Sequence, residues 1–235
     1  MNEHTSKKFD SELEGIRNRV LQMGGMVELQ IVKAMEGLSD GDPLLIDQVI
    51  ENDNRVNLLE IELDEACNQV IAKRQPTAVD LRMVSTVQKT ITDLERIGDE
   101  AKKIAKTAKQ LHSNGSPFMP QIRLGHIADA VVDMLRTALD AYARLDTVAA
   151  AQVVRHDKEV DAEFKGIMRQ LITYMMEDPR TISRGIDVLF AAKALERIGD
   201  HAKNIAEYTI FLVRGRDVRH IGVSEVLKEV GYPER

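Results

Sequence analysis

Two copies of a charged twelve-residue segment carry the side chains of this sequence that are best suited to chemistry. LERIGDEAKKIA begins at position 94 and LERIGDHAKNIA at position 195, and the copies agree at ten of twelve positions. Each copy holds a Glu and an Asp four residues apart, Glu95 with Asp99 and Glu196 with Asp200. In a helix this spacing places both carboxylates on one face, with about 5–6 Å between Cβ atoms. The two charges repel each other unless a cation lies nearby.

A second acidic motif precedes each of these segments. Asp157 and Asp161 are four residues apart, and Asp53 and Asn57 occupy the matching places in the first half. Asp53 and Asp157 fall within an apolar heptad-like seam, where an unpaired carboxylate is costly. In each half the two motifs are equally far from the hairpin between them, at Pro76 and at 178–179. An antiparallel hairpin would therefore bring both motifs to the same level.

Two acidic motifs at one level predict a site for a hard cation such as Mg, Mn, Ca or iron. Lys102, Lys106 and Lys203 offer a different source of positive charge, and the spacing alone favours buried salt bridges and a solvated face over a metal. The Glu-x-x-His motif of di-metal bundle enzymes does not occur in the acidic motifs. A Gly-rich phosphate loop, a nucleophile elbow and HExxH are also absent from the sequence. These absences argue against an enzyme.

Six helical segments position the motifs. Turn signals at 39–43, 74–77, 113–120, 145–147 and 177–185 separate stretches in which apolar residues recur every three or four positions. The repeated dodecamers lie in the third and sixth segments, which indicates a tandem duplication. We predict an all-α fold of two tandem, pseudo-symmetric three-helix bundles, residues 6–113 and 121–213, followed by a C-terminal tail, residues 214–235. The matching apolar seams are Val87, Leu94, Ile97, Ala101, Ile104, Ala108 and Leu111, and Val188, Ala191, Leu195, Ile198, Ala202, Ile205 and Leu212.

The amino-acid composition limits the cellular compartment and the kinds of partner that we expect. The net charge is −6 and the pI is about 5.6, which argues against nucleic acid as a partner because phosphate neutralisation needs clustered cations. The single cysteine, Cys67, cannot form an internal disulfide and fits a reducing cytosol. No signal-peptide pattern and no long apolar run are found. We therefore expect a cytoplasmic protein.

Several motifs together resemble the PhoU family, the accessory and regulatory proteins of the high-affinity phosphate transport system. They are MGGMVE at 23–28, AKRQPTAVDLR at 72–82, both LERIGD segments and LITYMMEDPRTI at 171–182. The resemblance runs from about residue 8 to 222 and implies two symmetric three-helix bundles. In some members the acidic motifs are associated with surface metal clusters. Carried over, the metal residues would be Asp53, Asn57, Glu95, Asp99, Asp157, Asp161, Glu196 and Asp200.

The same resemblance implies the kind of metal and a difference in strength between the two sites. Divalent or iron cations (Mg, Mn, Fe) are the implied cofactors. Asn57 offers a carbonyl oxygen without a charge, so we expect the first-half site to be weaker than the second.

The resemblance also implies a function. The chain would be a negative regulator of the phosphate-starvation response and a modulator of high-affinity phosphate transport. It would act without catalysis, as an adaptor between the ATP-hydrolysing subunit of the phosphate ABC transporter and a membrane sensor histidine kinase. A cytoplasmic homodimer held at the inner membrane by these partners is implied. The alternatives are a carboxylate-bundle metalloprotein or metalloenzyme, and a structural or metal-buffering bundle.

Overall fold

The computed structural model describes residues 3–113 and 123–232, with side chains from residue 9 onward. The described residues form long helices and contain no strand. The prediction of an all-α fold with two tandem three-helix bundles is confirmed. Residue 121, where the second unit was predicted to begin, lies outside the described residues. The helices are α1 (Glu3–Asp40), α2 (Pro43–Arg74), α3 (Ala78–Ser113), α4 (Gly125–Arg144), α5 (Thr147–Glu177), α6 (Ile182–Arg214) and α7 (Val223–Val230), with a 3₁₀ turn at Pro179–Thr181 before α6.

Capping aspartates begin the second helix of each bundle. The Asp42 carboxylate accepts a hydrogen bond from the Leu44 amide at 2.8 Å, and Pro43 is the first helical residue. Asp146 likewise accepts from the amides of Val148 and Ala149. Each carboxylate satisfies amides that have no partner within the helix. These caps fix where α2 and α5 begin and so set the register of the motifs on them.

The predicted apolar seams form the core of the two bundles. All seven seam residues of α3 and all seven of α6 are buried. They pack with apolar residues of α1 and α2 in the first half and of α4 and α5 in the second. The heptad-like pattern therefore correctly identified the buried face of both helices.

The two bundles pack on each other through α3 with α6 and through α1 with α4. Asp93 contacts His201, whereas Glu100, farther along α3, contacts Arg197, earlier in α6. The two helices are therefore antiparallel, as a pseudo-twofold axis requires. α2 and α5 lie at the outer sides, and each packs mainly on its own bundle.

The C-terminal tail folds back onto the second bundle. α7 packs on α5, with Val226 and Val230 buried. Arg214 at the end of α6 donates a hydrogen bond to the Val230 carbonyl at 3.3 Å. The segment predicted only as a C-terminal tail therefore holds a helix of eight residues.

Candidate functional site: two lysine-centred acidic clusters

A buried aspartate of α2 is paired with a lysine of α3 in the first bundle. The Lys102 ammonium donates to Asp53 Oδ2 at 2.6 Å, and the Asp53 side chain is 0 % exposed. This hydrogen bond is the main reason that the pKa of Lys102 is raised, and the charges of Asp99 and Glu95 add to it. We call Asp53, Asn57, Glu60, Glu95 and Asp99, together with Lys102, the first acidic cluster.

The second bundle repeats this arrangement. The Lys203 ammonium donates to Asp157 Oδ2 at 2.7 Å. Burial alone would lower the pKa of Lys203, but the hydrogen bond and charge of Asp157 outweigh it and raise that pKa. We call Asp157, Asp161, Glu196, Asp200 and Glu207, together with Lys203, the second acidic cluster.

Electrostatic coupling indicates that the predicted acidic pairs converge in both halves. The pKa of Glu95 is raised by burial and then by the nearby charges of Asp99, Glu60 and Asp53. The pKa of Asp200 is raised by burial and by the charges of Glu196, Asp157 and Asp161. The sequence-predicted residues of helices two and three therefore face one another at one level. The lysines stabilise this concentration of negative charge.

The two clusters differ at positions where the duplicated halves have diverged. Asn57 and Glu60 correspond to Asp161 and Phe164 at the 104-residue offset that relates Asp53 to Asp157. Glu207 has no acidic counterpart in the first half. Burial raises the pKa of Glu207 to about 7, with Lys203 opposing the rise. The second cluster therefore holds five carboxylates, whereas the first holds four.

Buried oxygen atoms without hydrogen bonds lie beside the first cluster. Among the described side chains, Asp53 Oδ1, Asn57 Oδ1 and Gln30 Oε1 are buried and have no partner. A Cβ atom added to Gly98 would meet Gln30 Oε1 at 3.3 Å and Asp53 Oδ1 at 3.6 Å. The glycine in the middle of α3 therefore allows α3 to pack closely on α1 and α2 at this level.

As placed, these residues do not fit a metal ion. Within residues 3–113 and 123–232, no three His, Cys, Asp or Glu side chains are arranged so that they could hold one ion. Asp53 and Asp157, the two carboxylates facing the core, are already paired with lysine. The arrangement is therefore one of acidic faces in which each core-facing aspartate is paired with an ammonium group.

Sequence reasoning did not find the polar contacts that join the two bundles. Asp93 Oδ1 is 2.6 Å from His201 Nδ1 and accepts a hydrogen bond from Asn204 at 3.2 Å. Glu100, which is buried, pairs with Lys103 and Arg197. A usable signal was present, because positions 100/201 and 103/204 are the two places where the dodecamers differ. Both differences lie at the contact between α3 and α6.

The fold and the clusters together define a class: duplicated three-helix-bundle proteins with matching acidic faces, each centred on a lysine. The family follows from comparison with known sequences. The PhoU domain model matches residues 20–108 and again residues 124–209, one match in each bundle. The chain belongs to the PhoU family.

Similar proteins extend over almost the whole chain. A Pseudomonas aeruginosa protein named phosphate-specific transport system accessory protein PhoU homolog is 48 % identical over 227 residues, which is 97 % of this chain and 94 % of that protein. The Escherichia coli K12 protein named phosphate-specific transport system accessory protein PhoU is 47 % identical over 229 residues, with the same coverage.

Solved structures agree with the fold. The crystal structure of PhoU from Pseudomonas aeruginosa superposes with a TM-score of 0.85 at 48 % identity and covers 88 % of this chain and 100 % of its own. The phosphate transport system regulatory protein PhoU from Streptococcus pneumoniae gives a TM-score of 0.81 at 27 % identity, covering 89 % and 99 %. The arrangement of two tandem bundles is therefore shared with crystal structures.

Proposed function

We propose that this chain is an accessory protein of a phosphate transport system and a negative regulator of the phosphate-starvation response. The observation that carries the proposal is the 48 % identity, over 97 % of the chain, to a protein named for that accessory role. The proposed partners are the ATP-hydrolysing subunit of the phosphate ABC transporter and a sensor histidine kinase. The proposed location is the cytoplasmic side of the inner membrane, reached through these partners. Among the described residues, no helix is long and apolar enough to cross a membrane.

A non-enzymatic role is supported by the state of the carboxylates. Asp53 and Asp157 are held in ion pairs, at 2.6 and 2.7 Å from their lysines. A carboxylate held in this way is a poor general base, because the neighbouring ammonium stabilises its charged form. The long helices instead offer wide rigid surfaces suited to protein contacts. The chain is therefore proposed to act by binding.

The function is tested in a strain from which the gene is deleted. We expect a phosphate-responsive reporter to be expressed at high phosphate in the deletion strain, and to be silenced again when this chain is restored. Pull-down with the full chain at high phosphate should recover the kinase and the transporter ATPase. A reporter that stays silent in the deletion strain, together with no recovery of either partner, would refute the proposal.

Metal binding is a separate proposal, in which a hard cation displaces a lysine ammonium from an acidic cluster. Its support is the raised pKa of Glu95 and Asp200, which burial raises first and the neighbouring carboxylates raise further. The second cluster has Asp161 where the first has the uncharged Asn57, and it should bind the cation more strongly. Lys203→Met should strengthen binding by removing the competing charge.

Elemental analysis of purified variants tests this proposal. Asp157→Ala with Asp161→Ala should lose more Mg, Mn or Fe than Asp53→Ala with Asn57→Ala. Equal metal content in both double variants would refute the asymmetry. Metal-dependent hydrolysis of a phosphate ester that is lost in Asp200→Ala would instead establish the metalloenzyme alternative.

A homodimer is also proposed. The outer face of α2 exposes Leu58 and Ile61, at 60 % and 55 % of their surface, and apolar residues placed so close together favour burial against a partner. Light scattering on the purified chain measures its mass directly. A mass that remains monomeric at high micromolar concentration would contradict the dimer.

A further inference from the structure

The antiparallel pair of α3 and α6 presents two related grooves, one at each end of the pair. Positions 101 apart in sequence correspond between the halves, as positions 94 and 195 do. Lys89, Tyr208 and Phe211 at one end therefore correspond to Phe190, Thr107 and Gln110 at the other. The pseudo-twofold axis exchanges the two grooves.

The chain itself covers one of these grooves. The ammonium of Lys89 lies over the rings of Tyr208 and Phe211, at 5.4 and 5.5 Å. The segment after α6 folds against this end, where Val218 is buried. The charge of Lys89 contributes to lowering the pKa of Asp217, after the larger effect of Arg219. A segment that carries the Asp217–Arg219 ion pair and the buried Val218 therefore lies beside a cation and aromatic rings.

The groove at the other end is open. Its volume is about 380 Å³, and we call it the open groove. Phe190 is 64 % exposed there. The charged side chains that line the open groove are Glu100, Lys103, Lys106, Lys193 and Arg197.

Positive charge dominates the open groove. Glu100 is its one carboxylate, and Lys103 and Arg197 both pair with it at 2.9 Å. Lys193 lies at the rim, where it pairs with Glu196 and sits 5.3 Å from the Phe164 ring. Lys106 is exposed. Four cations around one acid, on a chain whose net charge is −6, make this a local positive patch that attracts negatively charged partners.

We propose that the open groove binds an extended acidic peptide segment of a partner protein, with an apolar side chain of that segment against Phe190. The covered groove supplies a precedent for the apolar contact, because there a chain segment buries Val218 against the equivalent end of the helix pair. The charges and the exposed aromatic ring complement such a segment. This inference rests on the proposed adaptor function and names the kind of partner segment that the adaptor would hold.

Fluorescence anisotropy with the full-length chain tests the proposal. The probe is a labelled dodecapeptide of alternating acidic and leucine residues, and its control is the same peptide with lysine in place of each acid. We expect binding of the acidic peptide alone, weakened by salt. Lys106→Glu and Phe190→Ala should each weaken binding by about fivefold or more, as is typical for one charge or one aromatic contact in an interface.

The matched control variant is Lys158→Glu on α5, an exposed lysine outside the open groove. It makes the same change in net charge as Lys106→Glu and should leave the affinity within twofold. Both lysines and Phe190 are exposed, so thermal melts of the variants should match the parent chain. An equal loss in Lys158→Glu, or equal binding of the lysine peptide, would overturn the proposal. Displacement of the peptide by inorganic tripolyphosphate as effectively as by unlabelled peptide would overturn it in favour of a general anion site.

The two proposals fail in different ways. Loss of peptide binding in Lys106→Glu, with a reporter that does not respond to gene deletion, would leave the open groove standing and refute the phosphate role. A reporter that responds to deletion, together with a Lys106→Glu chain that keeps full affinity for the peptide, would refute the open groove and leave the phosphate role.

Discussion

Replacing Lys102 with Met tests whether the ion pair at the first acidic cluster holds the bundle together. Methionine keeps the length and much of the apolar stem of lysine but removes the ammonium that donates to Asp53 at 2.6 Å. Asp53 Oδ1 already has no hydrogen-bond partner, so the substitution would leave a buried carboxylate with neither oxygen paired. Removing one partner of a buried pair typically destabilises a protein by about 3–5 kcal/mol.

The lower end of that range applies here. The Lys102 side chain is 25 % exposed, so water can reach the vacated side of Asp53 and recover part of the lost solvation. We expect the free energy of unfolding to fall by about 3 kcal/mol. For a chain of this size, this lowers Tm by about 6–12 °C. The double variant Asp53→Asn/Lys102→Met should regain most of the loss, because it leaves no unpaired charge.

Chemical denaturation of three variants at pH 7 measures the effect. Lys106→Met is the matched control, since Lys106 is one turn farther along α3 and exposed. It should change the free energy of unfolding by no more than about 0.5 kcal/mol. Equal destabilisation by Lys102→Met and Lys106→Met would refute the structural role of the pair. A double variant as unstable as Lys102→Met would show that lost packing, rather than the unpaired charge, causes the effect.

Two further predictions concern packing and pH, and they accompany the metal asymmetry stated above. Gly24→Ala should destabilise the chain by about 1–3 kcal/mol, since the new Cβ would meet the Leu139 side chain of α4 at 2.6 Å. Gly199→Ala should instead stabilise it by up to about 1 kcal/mol, because its Cβ would make only ordinary contacts, the nearest at 3.4 Å; urea midpoints decide both. The pKa of Glu207 is raised by burial to about 7, so this group lowers stability as pH rises from its unfolded value through 7. The Tm of Glu207→Gln should therefore rise relative to that of the parent chain between pH 5 and pH 8. A difference in Tm that stays constant over this range would contradict the burial of a charged Glu207.

The sequence was sufficient for the six long helices and for the common level of the acidic motifs, because both depend on short-range periodicity. The seam from Val87 to Leu111 identifies the buried face of α3, and the equal spacing of the acidic motifs from Pro76 places them side by side. Both features follow from helical geometry and from one hairpin between neighbouring segments. The lysines were also identifiable as local cations, since Lys102 lies on the same helix as Glu95 and Asp99.

Contacts between distant segments could not be obtained in this way. Asp93 meets His201 across more than a hundred residues, and no periodicity links the two. The docking of α7 on α5 depends on the fold of the second bundle, and the weak pattern of the tail gives no information about its partner. The choice between a metal and an ammonium ion as the counter-charge also depends on side-chain positions, because the same spacing of carboxylates suits both.

The duplicated halves retain a buried Asp–Lys pair and have diverged in the charged positions around it. The buried Asp–Lys pair is present in both bundles, where its loss would leave a carboxylate in the core. The diverged positions lie around it. Lys106 in the first half corresponds to Glu207 in the second. Lys106 lines the open groove, whereas Glu207 adds a carboxylate to the second acidic cluster.

The same divergence gives the two ends of the α3–α6 pair different electrostatic character. Glu100 corresponds to His201, and their partners differ: Glu100 pairs with Lys103 and Arg197, whereas His201 contacts Asp93. Only the end with the lysines remains open among the described residues, while the tail covers the other. A symmetric ancestor would bind the same partner twice. The charge separation instead favours one acidic segment at one end of the molecule, which gives an adaptor a defined orientation.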